Sequence, residues 1–205
     1  MKTKIIFYLL AIICVFLACK KEKALIQSTN IAVLDSLYVG DKNISNKEFI
    51  NRINESCLLT HPYFDRTEKQ MDIDAKNCIL SKISYDYYAT FHDSFFKKKI
   101  YSSNIELILE KKEWDSFHDA ADLSTQINLI TIKNHKRTDS LNVYLEKIYS
   151  EALTAKIRYF YLDRKLNLWL LTFIEDEKGN HLESWKKYKI NSQTGKFELV
   201  DSIED

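Results

Sequence analysis

The sequence predicts an α+β fold: a mainly helical N-terminal half followed by a C-terminal four-stranded antiparallel meander packed against helices. Three observations predict it. Helix-start signatures recur between residues 45 and 106, and apolar residues return at helical spacing as far as residue 155. Beyond residue 157 the pattern changes to short extended runs separated by turn residues. With three glycines and one proline in 205 residues, the chain carries few breakers of regular structure.

The first element is not part of that fold. Lys2 and Lys4 precede a run of largely apolar residues from Ile5 to Leu17, and Ala18 stands before Cys19. This is the layout of a secretory signal. The apolar run is roughly 20 Å long as a helix, short of the ~30 Å hydrocarbon core of a membrane. The stretch Val15-Phe16-Leu17-Ala18-Cys19 resembles the lipobox of bacterial lipoproteins. The resemblance implies cleavage after Ala18, diacylation of Cys19, and attachment to a membrane through acyl chains. Two or more chains suffice for stable anchoring, since each buried methylene contributes about 0.8 kcal/mol. Lys20 stands where enteric lipoproteins retained at the inner membrane carry aspartate, so the resemblance points to the outer membrane of the cell envelope, on either of its faces.

Three regions follow: a cleaved signal over 1–18, a flexible tether over 19–30, and one α+β domain over 31–205. Loss of the signal removes two lysines and no acid, which takes the net charge from +1 to −1. A nucleic-acid partner is not expected from that balance. Cys14 leaves with the signal. Cys57 and Cys78 remain, in an oxidising compartment where two fates are open. A disulfide between them would close a loop worth about 3 kcal/mol. Alternatively both are buried thiols that behave as small hydrophobes.

Within the domain, Ile31–Val39 reads as a short strand ending at Gly40. Ser45-Asn46-Lys47-Glu48 is a capping box, with Ile44 placed to staple onto Phe49, and Phe49, Ile53 and Cys57 share the next helix face. A second box, Thr67–Gln70, opens the longest helical pattern. Met71, Ala75, Ile79, Ile83, Tyr87, Phe91 and Phe95 recur every fourth residue, which predicts a helix of some 28 residues. A third box, Ser103–Glu106, precedes Ile105, Ile108 and Leu109. Leu141, Leu145, Ile148 and Ala152 form a last helical stripe behind Thr138.

Strands are expected over Ile157–Leu162, Leu166–Ile174, Leu182–Ile190 and Phe197–Val200, joined by polar turns that include Gly179 and Gly195. The run from Leu166 to Ile174 is apolar in both phases and belongs in the sheet centre. Helices followed by a meander form an order broadly similar to the nuclear-transport-factor-like cone.

Candidate chemistry is sparse. The tripeptides Phe91-His92-Asp93 and Phe117-His118-Asp119 repeat, and His118 and Asp122 fall four apart on one predicted helix face, able to share a metal or to let a carboxylate orient an imidazole. Two ligands do not complete a metal site. The alternative is that these polar residues merely flank buried Phe91 and Phe117. No glycine-flanked nucleophile or phosphate-cradling loop is present, and Cys57 with His61 reads as a helix end rather than a catalytic pair. No cofactor is expected. Trp169, Trp185 and Tyr188 lie in the meander; Trp169 reads as core. Trp185 shares its phase with Lys187 and Lys189, which makes it a candidate ligand platform. The expectation is therefore an envelope lipoprotein acting as a non-catalytic module that binds an envelope protein or a ligand. The alternatives are a hydrolase built on His92, Asp93, His118 and Asp122, and a structural tether.

Overall fold

The computed structural model describes residues 40–59, 67–83, 99–102, 104–112 and 123–204, with backbone alone at 99–102, 112 and 123. These residues form eight strands: β1 Lys99–Ser102, β2 Ile105–Lys112, β3 Leu123–Lys133, β4 Lys136–Tyr149, β5 Thr154–Leu162, β6 Asn167–Asp176, β7 Gly179–Ile190 and β8 Phe197–Glu204. They make one antiparallel sheet in the order β1-β2-β3-β4-β5-β6-β7-β8, each strand beside its neighbour in sequence. The described helices are three and short: α1 Lys47–Asn51, α2 Ile53–Cys57 and α3 Glu68–Asn77. Single 3-10 turns cover Lys42–Ser45 and Ile79–Lys82.

The helical half expected from the sequence is thus corrected. Strands occupy 105–112 and 123–149, and the four C-terminal strands are half of the sheet rather than the whole of it. With the helical half goes the likeness to a cone closed by helices. The physical causes can be named. Asn104 does not open a helix; it turns the chain at φ +67°, and burial then alternates through Ile105, Leu107 and Leu109, the period of a strand. Leu141 and Leu145 lie four apart, a spacing that one face of a helix and one face of a strand share, so it does not distinguish the two. Asn134 and His135 both adopt positive φ, forming the two-residue β3–β4 hairpin that β-twist favours, in a dipeptide lacking the usual glycine.

The Thr67 capping box is present, but α3 spans ten residues and buries none of them. Met71 is exposed, whereas Ile79 and Ile83 are buried in and beyond a 3-10 turn, so the four-residue spacing does not mark one helix stripe. Tyr87, Phe91 and Phe95 lie outside the described residues, as does the strand expected over 31–39. The first capping box shifts by one: Asn46 caps α1 by accepting from the Glu48 N–H at 3.0 Å, while Ser45 donates to the Lys42 carbonyl. Phe49, Ile53 and Cys57 are all buried.

Both faces of the β5–β7 region are buried. Register places Tyr159, Leu171 and Trp185 in one row and Ile157, Phe173 and Leu182 in the next, on the face met by the helical segment. Leu171, Phe173 and Trp185 are each at most 2 % exposed. The Trp185 indole N–H donates to the Ile44 carbonyl at 2.7 Å, and the Lys47 ammonium stands 5.3 Å from its ring centre. Asn54 accepts from the Leu182 N–H at 2.6 Å, and Leu58 bridges to Gly179. A disulfide joins Cys57 to Cys78 and so ties the α3 segment to α2. At the other side of the sheet the chain is latched by a bridge from Gly40 to Tyr161.

β4 pairs with β5 only over Leu145–Tyr149, so the upper halves of the two strands part. The β3–β4 hairpin instead reaches the β7–β8 turn: the Thr131 hydroxyl donates to the Gly195 carbonyl, Asp139 accepts from the Phe197 N–H at 3.0 Å, and the Lys133 ammonium donates to the Ser192 and Gln193 carbonyls. The sheet therefore curls until its middle meets its last turn.

Candidate functional site

Of the residues singled out by sequence, Cys19, His92, Asp93, His118 and Asp122 lie outside the described residues. Trp185 lies inside them and is 1 % exposed, with its indole N–H taken by Ile44. It is a plug between sheet and helices and offers no stacking platform. Its phase-mates Lys187 and Lys189 suggested solvent, but Lys187 extends over the Trp169 ring at 5.3 Å and Lys47 covers Trp185 itself. A lysine in a strand can shelter an aromatic with its aliphatic stem, so alternation with lysine does not establish exposure. Among the described residues no group of three His, Cys, Asp or Glu is placed to hold a metal ion.

The most unusual charged group lies on the opposite face. Register aligns Arg158, Thr172 and Ser184 across β5, β6 and β7, with Phe160, Leu170 and Lys186 in the next row and Leu162, Leu168 and Tyr188 beyond. Arg158 is half-buried where β4 and β5 part. Its Nε–H donates to the Thr172 hydroxyl at 2.9 Å, and Nη1 donates to the Asn142 side-chain and main-chain oxygens at 2.9 and 3.4 Å. All of these acceptors are neutral. A guanidinium has five N–H groups, so the two on Nη2 have no partner among the described residues.

The nearby carboxylates are engaged elsewhere. Glu183 pairs with Lys156 at 2.5 Å, and Glu204 with Lys186 at 2.8 Å. Burial holds the Arg158 guanidinium below its ordinary pKa, opposed by the more distant Glu183 and Tyr188. The hydrogen bond to Glu204 raises the Lys186 pKa, while Arg158 opposes it, so the two cations share one field. The arrangement is a fixed positive charge on apolar strands, with donors that no described residue takes and a second cation in its field. Chemically, that is an acceptor for an anion.

A second feature is a cleft of about 450 Å³ between the β5–β6 and β7–β8 turns, lined by Arg164, Lys165, Lys189, Ser192, Gln193 and Glu198 among others. Asp163 shapes its floor by accepting from the Lys165 and Asn167 N–H groups at 2.8 Å. Leu166, at φ +62° and 4 % exposed, is held in a conformation that branched side chains rarely adopt. Sequence reasoning passed over both features. The available signal for Arg158 was an ionisable residue in the middle of an expected strand, between Ile157 and Tyr159. The cleft had none, because it joins two turns that only the curled sheet brings together. No protein-family model, no curated protein and no solved structure matches this chain.

Proposed function

We propose that the protein is a lipid-anchored lipoprotein of the bacterial envelope, attached through Cys19, that serves as a non-catalytic binding module for a small carboxylate- or phosphate-bearing ligand. The anchor rests on the signal and the lipobox-like Val15–Cys19. The outer membrane is the favoured site because Lys20 follows the cysteine. The binding reading is carried by one observation: among the described residues, half-buried Arg158 is held by neutral oxygens, with no partner for either Nη2 N–H group. Desolvating a charge is costly unless a counter-charge arrives, and a ligand carboxylate or phosphate presents planar or tripod oxygens that the fork fits.

The test is thermal unfolding of the full-length protein with and without inorganic phosphate or succinate at constant ionic strength. A ligand at one hundred times its Kd stabilises the folded state by about 2.7 kcal/mol, a shift of several degrees. Arg158→Met is expected to abolish the shift while folding normally, and Arg158→Lys to weaken it. A shift of equal size in wild type and Arg158→Met, or none in wild type with either anion, rejects the site.

A further inference from the structure

Among the described residues the sheet is electrically polarised along its strands, and Gly40, the first of them, lies at the basic end. Turns β3–β4, β5–β6 and β7–β8 share one end of the meander. They and the strand ends beside them carry Lys133, Lys136, Arg164, Lys165, Lys189 and Lys196. Carboxylates stand among them: Glu106 lies opposite Ile132, and Asp41 accepts from the Asn43 N–H at 2.8 Å. Asp163 accepts from backbone N–H groups of its own turn, Asp139 accepts from those of Ser140 and Phe197, and Glu198 accepts from the Asn191 amide. Arg137 is matched by Glu110 at 3.6 Å. At the other end, the described residues of the β4–β5 and β6–β7 turns and their margins carry Glu146, Glu151, Glu175, Asp176 and Glu177 against Lys147 and Lys178, with Lys156 paired to Glu183 and Lys111 near the end of β2; the β2–β3 turn lies outside the described residues.

The start of the described domain fixes which end is tethered. Gly40 pairs with Tyr161, two residues before Asp163, and so stands at the basic end. We propose that this basic end docks on anionic phospholipid headgroups of the membrane that Cys19 anchors; the proposal rests on the lipoprotein reading above. Residues 20–39 separate the acyl chains from Gly40, a reach of at most about 70 Å. Tethering at that range turns headgroup contact into an intramolecular event with a high effective concentration. Each lysine or arginine brought to an anionic surface strengthens attachment by about fivefold. The cleft between the β5–β6 and β7–β8 turns supplies what a flat basic patch lacks: a concavity of about 450 Å³ with Arg164, Lys165 and Lys189 around it and Ser192 at its rim, sized for a phosphate and its glycerol.

The experiment uses the full acylated protein reconstituted with phosphatidylcholine vesicles, with or without phosphatidylglycerol. One thiol-reactive fluorophore is placed at Ser192→Cys or, at the acidic end, at Glu177→Cys. Headgroup-labelled quencher lipid is then added. With phosphatidylglycerol, quenching at position 192 is expected to exceed that at 177 several-fold. The double charge reversal Lys165→Glu and Lys189→Glu should remove the difference, as should high salt. Equal quenching at the two positions, or a difference that survives the charge reversal, overturns the docking. Flotation with plain phosphatidylcholine vesicles reports the anchor separately. A protein that floats only with phosphatidylglycerol vesicles and shows the asymmetry keeps the docking and loses the acyl anchor; one that floats with neither loses both.

Discussion

At the scale of single residues, Gly40 shows how a backbone angle latches a chain to a sheet. Its φ is +67°, and a Cβ there would lie 1.7 Å from the Phe160 carbonyl oxygen. Gly40→Ala therefore has to break the bridge to Tyr161 or distort β5. The expected loss is about 2 kcal/mol, the scale of a strained backbone conformation. A lowered urea midpoint with an unchanged m-value checks it. Trp185 makes the complementary point about side chains. Trp185→Phe keeps most of the buried ring but leaves the Ile44 carbonyl without its donor, at an expected cost of about 1–3 kcal/mol. Stability equal to wild type in a denaturant titration would show that the N–H contributes nothing. The sequence showed an aromatic in a strand; whether that aromatic met water or Ile44 depended on a segment some 140 residues upstream, which periodicity does not reach.

Elements differ in how much of them periodicity reveals. The strands β5 to β8 stood out because turns with Asp163, Gly179 and Gly195 separate apolar runs of strand length. β2, β3 and β4 were hidden for two local reasons: the four-residue spacing of Leu141 and Leu145 suits a helix as well as a strand, and the Asn134-His135 hairpin lacks glycine. The capping box at Thr67 marked a true helix start, yet capping says nothing about length, and the helix ends at Asn77 where Cys78 leaves helical geometry for its bond to Cys57. That bond is the main tie between the α3 segment and α2, since α3 buries none of its own side chains. Replacing both cysteines by serine is expected to cost about 3 kcal/mol for a loop with a sequence separation of 21. The check is a denaturation midpoint that dithiothreitol lowers in wild type and leaves unmoved in the double variant. Non-reducing mass mapping that finds two free thiols in the wild-type protein would contradict the bond.

Across the whole molecule, the charge separation exists only because the meander is regular. Neighbouring hairpins deliver alternate turns to opposite ends, so among the described residues basic side chains outnumber acidic ones at one end and acidic outnumber basic ones at the other, in a chain of formal charge +1. A net charge near zero concealed this from composition. The proposed anchor rests on a contiguous motif, Val15–Cys19, and on no folding. Cys19→Ser is expected to move the protein from the membrane to the soluble fraction of fractionated cells; retention in the membrane fraction would reject acylation as the means of attachment. The proposed anion site at Arg158 needs the register of three neighbouring strands, and the basic cleft needs two turns that only the curled sheet brings together.

Strict pairing of every strand with its chain neighbour also bears on how such a protein changes over evolutionary time. Among the described strands none is threaded between two others, so a duplication or deletion of one hairpin at the β1 margin leaves every remaining register untouched. Such a change at the margin would not touch the Trp185 plug, the half-buried guanidinium or the disulfide-bonded cap, which rests on β7 through Asn54 and Ile44.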